Sequence, residues 1–155
     1  MKIENVWNYP RPPSIEPVSE NITVRFAGTT IADTDVAFRV LETSHAPTYY
    51  LPRQDILPDA LMPSGRRTLC EWKGQAIYYD VTSNGKVAAA AAWTYTSPVE
   101  GFQTIAGYIA FYAEQMDACY VGDERVEPQP GTFYGGWVTP NLVGSIKGAA
   151  GTMHW

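Results

Sequence analysis

The stretch from Arg39 to Arg53 concentrates side chains that can carry out acid–base and anion-binding chemistry. Glu42 and His45 lie close in sequence, and a carboxylate beside an imidazole can act as an acid–base or orienting pair. Arg39 and Arg53 carry planar guanidinium groups, which bind a carboxylate or a phosphate through parallel hydrogen bonds. This pattern predicts a ligand site, with Glu42 and His45 as catalytic residues if the protein is an enzyme. The alternative is a structural ion pair between Arg39 and Glu42, with His45 capping a turn.

A lysine and several aromatic residues extend this prediction further along the chain. Lys73 precedes Gly74 in a predicted tight turn, where an amine and main-chain N–H groups can approach an anion. Aromatic side chains form the cores of most proteins, yet those near such charges can also line a pocket. We therefore predict a ligand-binding set made of Arg39, Tyr49, Arg53, Trp72, Lys73, Tyr78, Trp93 and Tyr95.

The two cysteines, Cys70 and Cys119, lie far apart and neither belongs to a C-x-x-C pair, so a four-cysteine zinc site is not predicted. A nearby lysine can lower the pKa of a thiol, which makes Cys70 an alternative nucleophile beside Lys73. Burial as a small, inert apolar side chain is the favoured interpretation. The run from Gly144 to Gly151 lacks the G-x-x-x-x-G-K-[ST] pattern of a phosphate loop. No metal and no cofactor are predicted.

The composition is that of a single acidic globular domain. The chain has 155 residues and a net charge of −5 at pH 7. It lacks the excess of basic residues that phosphate contacts require, so no nucleic-acid partner is predicted, although a local basic pocket for a small anion is compatible with this charge. The longest apolar run, residues 87–93, is too short to cross a membrane, and the N-terminus has no apolar signal core. We predict a cytoplasmic protein with both thiols reduced.

Turn signals and alternating patterns predict a mainly β fold. Ile22–Phe26 alternates apolar and polar residues, as a half-buried strand does, and Asn84-Gly85 is the strongest hairpin signal in the chain. Pro58 limits the helical pattern between residues 53 and 62 to a turn or two. A further short helical turn is predicted near residues 141–143. Strands are predicted at residues 22–26, 30–33, 36–42, 48–51, 67–72, 75–82, 86–96, 104–112, 117–121 and 124–126.

The chain divides into three parts by composition. Residues 1–21 form a Pro-rich arm, in which four prolines among nine consecutive residues favour an extended chain. Residues 22–127 form the β domain. Residues 128–155 are rich in glycine and contain two tryptophans, so we predict a coil-rich extension that packs on the domain.

Four sequence blocks together resemble a known family. They are Arg39–Arg53, Thr68–Tyr78 (Thr-Leu-Cys-Glu-Trp-Lys-Gly-Gln-Ala-Ile-Tyr), Ala92–Tyr95 and Ile105–Tyr112. In this order, over about residues 22–126, they are similar to the family called domain of unknown function 427. The tail from residue 137 to 155 resembles the Gly- and Trp-containing extension of some cyanobacterial-type members.

The resemblance implies a β-tent fold, in which two antiparallel sheets are pinned at one edge. Methionine-R-sulfoxide reductases and the thalidomide-binding domain of cereblon share this architecture, and cereblon-like domains hold a small cyclic ligand in an aromatic cage between the sheets. These relatives usually carry two C-x-x-C zinc knuckles, which this chain lacks. The family is sometimes labelled a nucleotidyltransferase domain, but no carboxylate pair here is spaced to hold Mg²⁺ for such a transfer.

Three functional hypotheses follow. The first is the binding of a small polar or anionic molecule in an aromatic pocket between two sheets. The second is an enzyme that uses Glu42 and His45 for acid–base chemistry and an arginine or lysine as an anion clamp. The third is a protein-interaction module that docks through the arm or the tail. The predicted partner is an unidentified small molecule, with no membrane contact and with homo-oligomerisation left open.

Overall fold

A computed structural model describes residues 1–70, 72–131, 133–152 and 154–155. Short strands are the main regular structure of these residues, because runs of β-branched and aromatic residues favour strands and are separated by frequent turns that contain Gly and Pro. The strands are β1 (Glu4–Asn5), β2 (Ser14–Pro17), β3 (Ile22–Phe26), β4 (Thr29–Thr34), β5 (Phe38–Leu41), β6 (Thr48–Tyr50), β7 (Leu61–Cys70), β8 (Gly74–Ser83), β9 (Lys86–Thr94), β10 (Ile109–Phe111), β11 (Ala118–Val121), β12 (Glu124–Arg125), β13 (Glu127–Pro128), β14 (Trp137–Val138) and β15 (Leu142–Val143).

Helical structure in the described residues is limited to single 3₁₀ turns. Pro58 begins one of them, in keeping with its fixed φ and missing N–H. The sequence predicts one or two such turns together with a further one near residues 141–143, and the structure has five. They span Val6–Asn8, Arg53–Asp55, Pro58–Ala60, Gln103–Ile105 and Ala113–Gln115.

The strands form antiparallel sheets, which confirms the predicted mainly β fold. One four-stranded sheet has the order β10-β9-β8-β7, a second has the order β12-β11-β3-β4, and a three-stranded sheet has the order β2-β5-β6. Two-stranded ribbons join β13 to β14 and β1 to β15, and the β1–β15 pair is parallel. The three-stranded sheet meets the first sheet where Leu51 and Ile109 exchange main-chain hydrogen bonds.

The strongest hairpin signal, Asn84-Gly85, is confirmed. Asn84 and Gly85 have φ values of 48° and 77°, and they connect β8 to β9 with Ser83 paired to Lys86. Positive φ at both central residues produces the twist that a two-residue hairpin needs, and the Asn-Gly pair adopts it readily. Ala27 and Gly28 make the same kind of turn between β3 and β4.

Two predicted elements are wrong in detail. Residues 104–112 form a 3₁₀ turn and the short β10 rather than one strand, because Gly107 at φ +76° redirects the chain between them. Residues 141–143 were expected to form a helical turn. Leu142 and Val143 are instead extended as β15, because their main chain pairs with β1, a partner that local sequence does not reveal.

Both chain ends pack on the sheets. The arm joins the three-stranded sheet through β2, whose Ser14 pairs with Leu41 and Pro17 with Phe38. Trp137, in the predicted extension, is fully buried, and its indole Nε1 donates a 3.0 Å hydrogen bond to the carbonyl of Phe111. In the described part of the chain, no helix is long and apolar enough to cross a membrane.

Candidate functional site

A cavity of about 290 Å³ lies where the sheet of β7–β10 faces β5 and β6. Strand alternation directs its lining: Trp93 and Tyr95 are two residues apart, and Tyr78 is the cross-strand partner of Trp93. From the facing strands, Thr48 and Tyr50 reach the same space. Of the residues that the sequence predicts for the site, the cavity brings together Glu42, His45, Trp72, Lys73, Tyr78, Trp93 and Tyr95.

Eight of the twenty described residues that line the cavity are Phe, Trp or Tyr. The Trp93 ring lies 4.6 Å from the ring of Tyr112 and 6.3 Å from that of Tyr78, between centroids. Burial raises the pKa of the Tyr50, Tyr95 and Tyr112 hydroxyls above their ordinary value. These hydroxyls therefore stay protonated at neutral pH. Those of Tyr50 and Tyr95 can donate to or accept from a bound molecule, whereas the Tyr112 hydroxyl donates to the Phe133 carbonyl and can only accept.

Lys73 brings a positive charge into this aromatic space. Its residue is only 9% exposed, and its Nζ lies 5.9 Å from the ring centroid of Tyr95 and 6.0 Å from that of Phe102. Among the described residues, no carboxylate forms a salt bridge with this ammonium group. The π faces of two rings compensate for part of the lost hydration, and an anion within reach of Nζ would compensate for more.

Glu42 and His45 lie together at the cavity, but they are not directly hydrogen-bonded through their side chains. His45 Nδ1 donates to the Thr43 carbonyl at 2.9 Å and lies 3.9 Å from Glu42 Oε2. Because a carbonyl only accepts, Nδ1 carries the proton and Nε2 of the neutral ring has a lone pair. Burial lowers the pKa of His45, and the negative charge of Glu42 only partly opposes this. The imidazole is therefore neutral at pH 7 and can accept a proton or a hydrogen bond.

Residues from the C-terminal part of the chain complete the cavity. These residues, which sequence reasoning missed as site residues, are Gln129, Phe133, Tyr134, Gly135 and Lys147. The Gly135 main chain lies directly on the indole of Trp93, since a Cβ at this position would be 2.0 Å from Trp93 Cη2. The available signal was the glycine-rich stretch before Trp137, because paired glycines often mark close approach of a backbone. Tyr112 closes the contact by donating a 3.0 Å hydrogen bond to the Phe133 carbonyl.

Three predicted ligand-binding residues lie outside this cavity. Tyr49 points to the other face of β6 and stacks on Trp137, with 5.2 Å between ring centroids. Arg53 lies over the ring of Tyr79 and donates to its hydroxyl at 3.2 Å. The third residue is Arg39.

Arg39 forms a charged network with the N-terminal arm. Its Nη atoms donate to the two Glu4 carboxylate oxygens at 3.1 and 2.9 Å, and its Nε donates to Glu16 at 2.6 Å. Although burial opposes the charge, these hydrogen bonds raise the pKa of the Arg39 guanidinium above its ordinary value. Its fork is therefore occupied by protein carboxylates, as in the structural alternative, but with Glu4 and Glu16 in place of Glu42.

The local charge of the cavity differs from that of the whole protein. Among the described lining residues, Lys73 and Lys147 are positive, Glu42 is negative and His45 is neutral, which leaves a net charge of +1. The chain as a whole carries −5. No cluster of three or more His, Cys, Asp or Glu side chains able to hold a metal occurs within the described residues. The arrangement can bind an anion or a neutral polar ring and can accept one proton at His45.

Comparison with known proteins gives a family but no activity. No protein of curated function matches the chain. The family model described as a domain of unknown function (DUF427) matches residues 14–122, a span that contains the strands β2 to β11 and most of the aromatic cavity wall. Because this match covers more than half of the 155 residues, the chain belongs to the DUF427 family.

Proposed function

We propose that the protein binds a small molecule with a planar ring and an anionic group in the aromatic cavity. The observation that carries this proposal is Lys73, a residue only 9% exposed whose ammonium group lies near two aromatic rings and forms no salt bridge with a described carboxylate. A buried charge without an ionic partner destabilises a fold unless something compensates for it. A ligand carboxylate or phosphate would provide that compensation.

The walls and the size of the cavity favour a ligand that contains a planar ring. Ligand pockets usually measure about 300–1,000 Å³, so a cavity of about 290 Å³ suits a small molecule. Trp93 and Tyr112 offer faces and edges on which a planar ring packs, and such contacts add to the gain from apolar burial. Protonated tyrosine hydroxyls and the Nε2 lone pair of His45 add hydrogen-bonding groups that can orient polar substituents.

Acid–base catalysis is the second candidate function, and His45 is the observation that favours it. Its pKa is lowered by burial, its Nδ1 proton is held by the Thr43 carbonyl, and its Nε2, which has no hydrogen-bond partner among the described residues, can take a proton from a bound molecule. Glu42, 3.9 Å from Nδ1, would stabilise the imidazolium that forms. Catalysis by His45 requires a molecule bound in the same cavity, so ligand binding is tested before catalysis.

Equilibrium titration with benzoate and benzamide tests the proposal, because the two probes share a ring and differ in charge. Tryptophan fluorescence reports binding, since Trp72 and Trp93 line the cavity. We expect benzoate to bind about tenfold more tightly than benzamide, since a hydrogen bond to a charged group contributes about 1.5–3 kcal/mol. Lys73→Met should weaken that preference, whereas Lys86→Met, at an exposed lysine outside the cavity, should keep it.

Phenyl phosphate and indole-3-carboxylate extend the probe set to a second anionic group and a larger ring. Acetate controls for a general effect of anions, because it lacks the ring. The proposal is wrong if none of the three aromatic anions changes the fluorescence or the melting temperature, or if acetate acts as strongly as they do.

A further inference from the structure

We propose that Lys147 makes the cavity selective for anions and that the N-terminal arm holds Lys147 in position. This inference rests on the proposed function. It concerns two segments that lie outside the family match of residues 14–122. We define the C-terminal wall as residues 129–131 and 133–148, and the N-terminal clasp as residues 2–9.

The main chain of Lys147 is fixed to the edge of the cavity. Its N–H donates to the Ser44 carbonyl at 2.8 Å, and its carbonyl accepts from Gln129 Nε2 at 2.8 Å. The next residue, Gly148, packs against Pro130 so closely that a Cβ would lie 1.7 Å from the Pro130 carbonyl oxygen. The two ends of the C-terminal wall are therefore in direct contact, and these contacts fix the main-chain position of Lys147.

The side chain of Lys147 lies among cavity residues. Its Nζ is 5.4 Å from the ring centroid of Tyr134 and donates to the main-chain oxygen of Trp155 at 3.3 Å. The Tyr134 ring in turn lies edge-on to His45, 4.9 Å between centroids. No described Asp or Glu side chain forms a salt bridge with Lys147. The hydrogen bond to Trp155 uses one of the three N–H donors of the ammonium group, and the others can bind a ligand at the edge marked by His45.

The clasp holds the wall from the side away from the ligand. Trp7 Nε1 donates to the Ser145 carbonyl at 2.8 Å, two residues before Lys147, and the Trp7 ring packs on Trp155 at 5.2 Å. β1 pairs with β15, and Asn141 Nδ2 donates to the Lys2 carbonyl at 2.8 Å. None of the described cavity-lining residues belongs to the clasp, so the clasp residues act as positioning residues.

Alkylation of Cys70 measures the potential in the cavity without a ligand. Cys70 lines the cavity, whereas Cys119 is buried and burial raises the pKa of its thiol to about 12, so reagents reach Cys70 first. The Cys70 sulfur displaces iodide from iodoacetate or iodoacetamide and forms a thioether, while the thiol proton passes to the buffer. The ratio of the two rates compares an anionic reagent with a neutral one of similar size.

We expect Lys147→Gln to lower the iodoacetate-to-iodoacetamide rate ratio about threefold, because the cavity that contains Cys70 loses one positive charge. The matched control is Lys86→Gln, which removes the same charge at an exposed position outside the cavity and should leave the ratio unchanged. Lys147→Arg, which keeps the charge, should restore the ratio. A role in folding alone would change both rates together, so the ratio separates selectivity from access.

The positioning role is tested by two glycine substitutions. In Gly144→Ala, the new Cβ would lie 2.7 Å from Asn5 Oδ1 and 2.9 Å from Trp7 Cδ1, which pushes clasp and wall apart. Gly151→Ala has the same positive-φ strain with nothing within 4 Å, so it is the matched control. We expect Gly144→Ala, but not Gly151→Ala, to lower the ratio as Lys147→Gln does. Trp7→Phe, which removes the donor to Ser145 and keeps a smaller ring against Trp155, is the milder variant if Gly144→Ala does not fold.

The outcomes separate this inference from the proposed function. If benzoate binds but the ratio is the same in Lys147→Gln and the unchanged protein, the selectivity role of Lys147 is wrong and the function stands. If the ratio falls but no aromatic anion binds, the function is wrong and the role of Lys147 stands. A Cys70 that reacts with neither reagent also overturns the inference, because the cavity then admits no small molecule for Lys147 to select.

Discussion

Two regions of the molecule each contain a cationic side chain, a tyrosine and a tryptophan, but these side chains have different contacts in the two regions. In the first region, Arg39 lies beside Tyr49, which stacks on Trp137. In the second, the aromatic cavity, Lys73 lies over Tyr95 near Tyr50 and Trp93. Tyr49 and Tyr50 are neighbours in β6, and the alternation of the strand sends one to each region.

The two regions differ in whether protein carboxylates pair with the cationic side chain. Arg39 has two carboxylates at hydrogen-bonding distance, and Trp137 has its N–H bonded and its ring fully buried. Lys73 has two ring faces and forms no salt bridge with a described carboxylate. A region with complete contacts needs no ligand to be stable, whereas an incomplete one gains from binding.

Truncation of the two tryptophans should give the largest difference between the regions. Trp137→Ala removes a fully buried ring that packs on Tyr49, and it should cost about 4 kcal/mol of unfolding free energy. Trp93→Ala should cost only about 2 kcal/mol, because one side of that ring faces the cavity rather than packed atoms.

Urea denaturation of both variants measures the two costs. Trp93→Ala should also abolish the benzoate signal, while the folded fraction of Trp137→Ala should still bind. Equal costs would mean that the cavity wall is packed as tightly as the first region and would contradict the comparison.

The pair Arg39→Met and Lys73→Met tests the two cations directly. Arg39→Met leaves Glu4 and Glu16 without their shared partner, and we expect a loss of about 2 kcal/mol, reduced by the partial exposure of both carboxylates. Lys73→Met removes a buried charge without uncovering a described ionic partner, so stability should change by less than about 1 kcal/mol. Thermal and urea unfolding at the same pH provide the comparison, and a Lys73→Met loss as large as that of Arg39→Met would show that Lys73 is structural.

The fold was predictable where local sequence decides the backbone. Asn84-Gly85 readily adopts the positive φ that a two-residue hairpin turn requires, and the alternation of Ile22–Phe26 needs only one buried face. β15 was not predictable, because Leu142 and Val143 are extended only through pairing with β1, far away in the chain. The predicted strand at residues 104–112 was too long for a related reason. The apolar pattern of this run does not reveal that the chain turns at Gly107 before β10 begins.

The site was predictable in kind and only partly in its residues. Tyr78 on β8 and Trp93 on β9 are placed by period-two alternation, and both side chains line the cavity. Tyr49 and Tyr50 are chemically the same, so the sequence could not decide which one faces it. Arg39 has the chemistry of an anion site, but Glu4 and Glu16 lie far from it in sequence and reach it only through the folded arm. Lys147 was missed for the same reason, because it belongs to a distant segment that folds onto the cavity.

The smallest expected effect concerns pH and His45. Burial lowers the pKa of His45 from the ordinary 6.5, while Glu42 opposes the shift and Lys147 and Arg11 add to it. Between the lowered folded pKa and 6.5, the unfolded chain binds more protons than the folded one. Stability is therefore lost as the pH falls below 6.5, by less than about 1 kcal/mol, and it is regained on returning to pH 7. His45→Asn keeps a donor for the Thr43 carbonyl without titrating, so it should flatten this dependence.

Unfolding measured between about pH 5 and 8, with His154→Asn at the exposed second histidine as control, tests this expectation. Protonation of His45 also adds positive charge to the cavity, so the affinity for benzoate should rise as the stability falls. These opposite directions distinguish the cavity from the first region, where the charge of Arg39 is already paired and does not titrate in this range. If affinity and stability fall together, protonated His45 is disrupting the site, and the cavity is not an anion site with incomplete contacts.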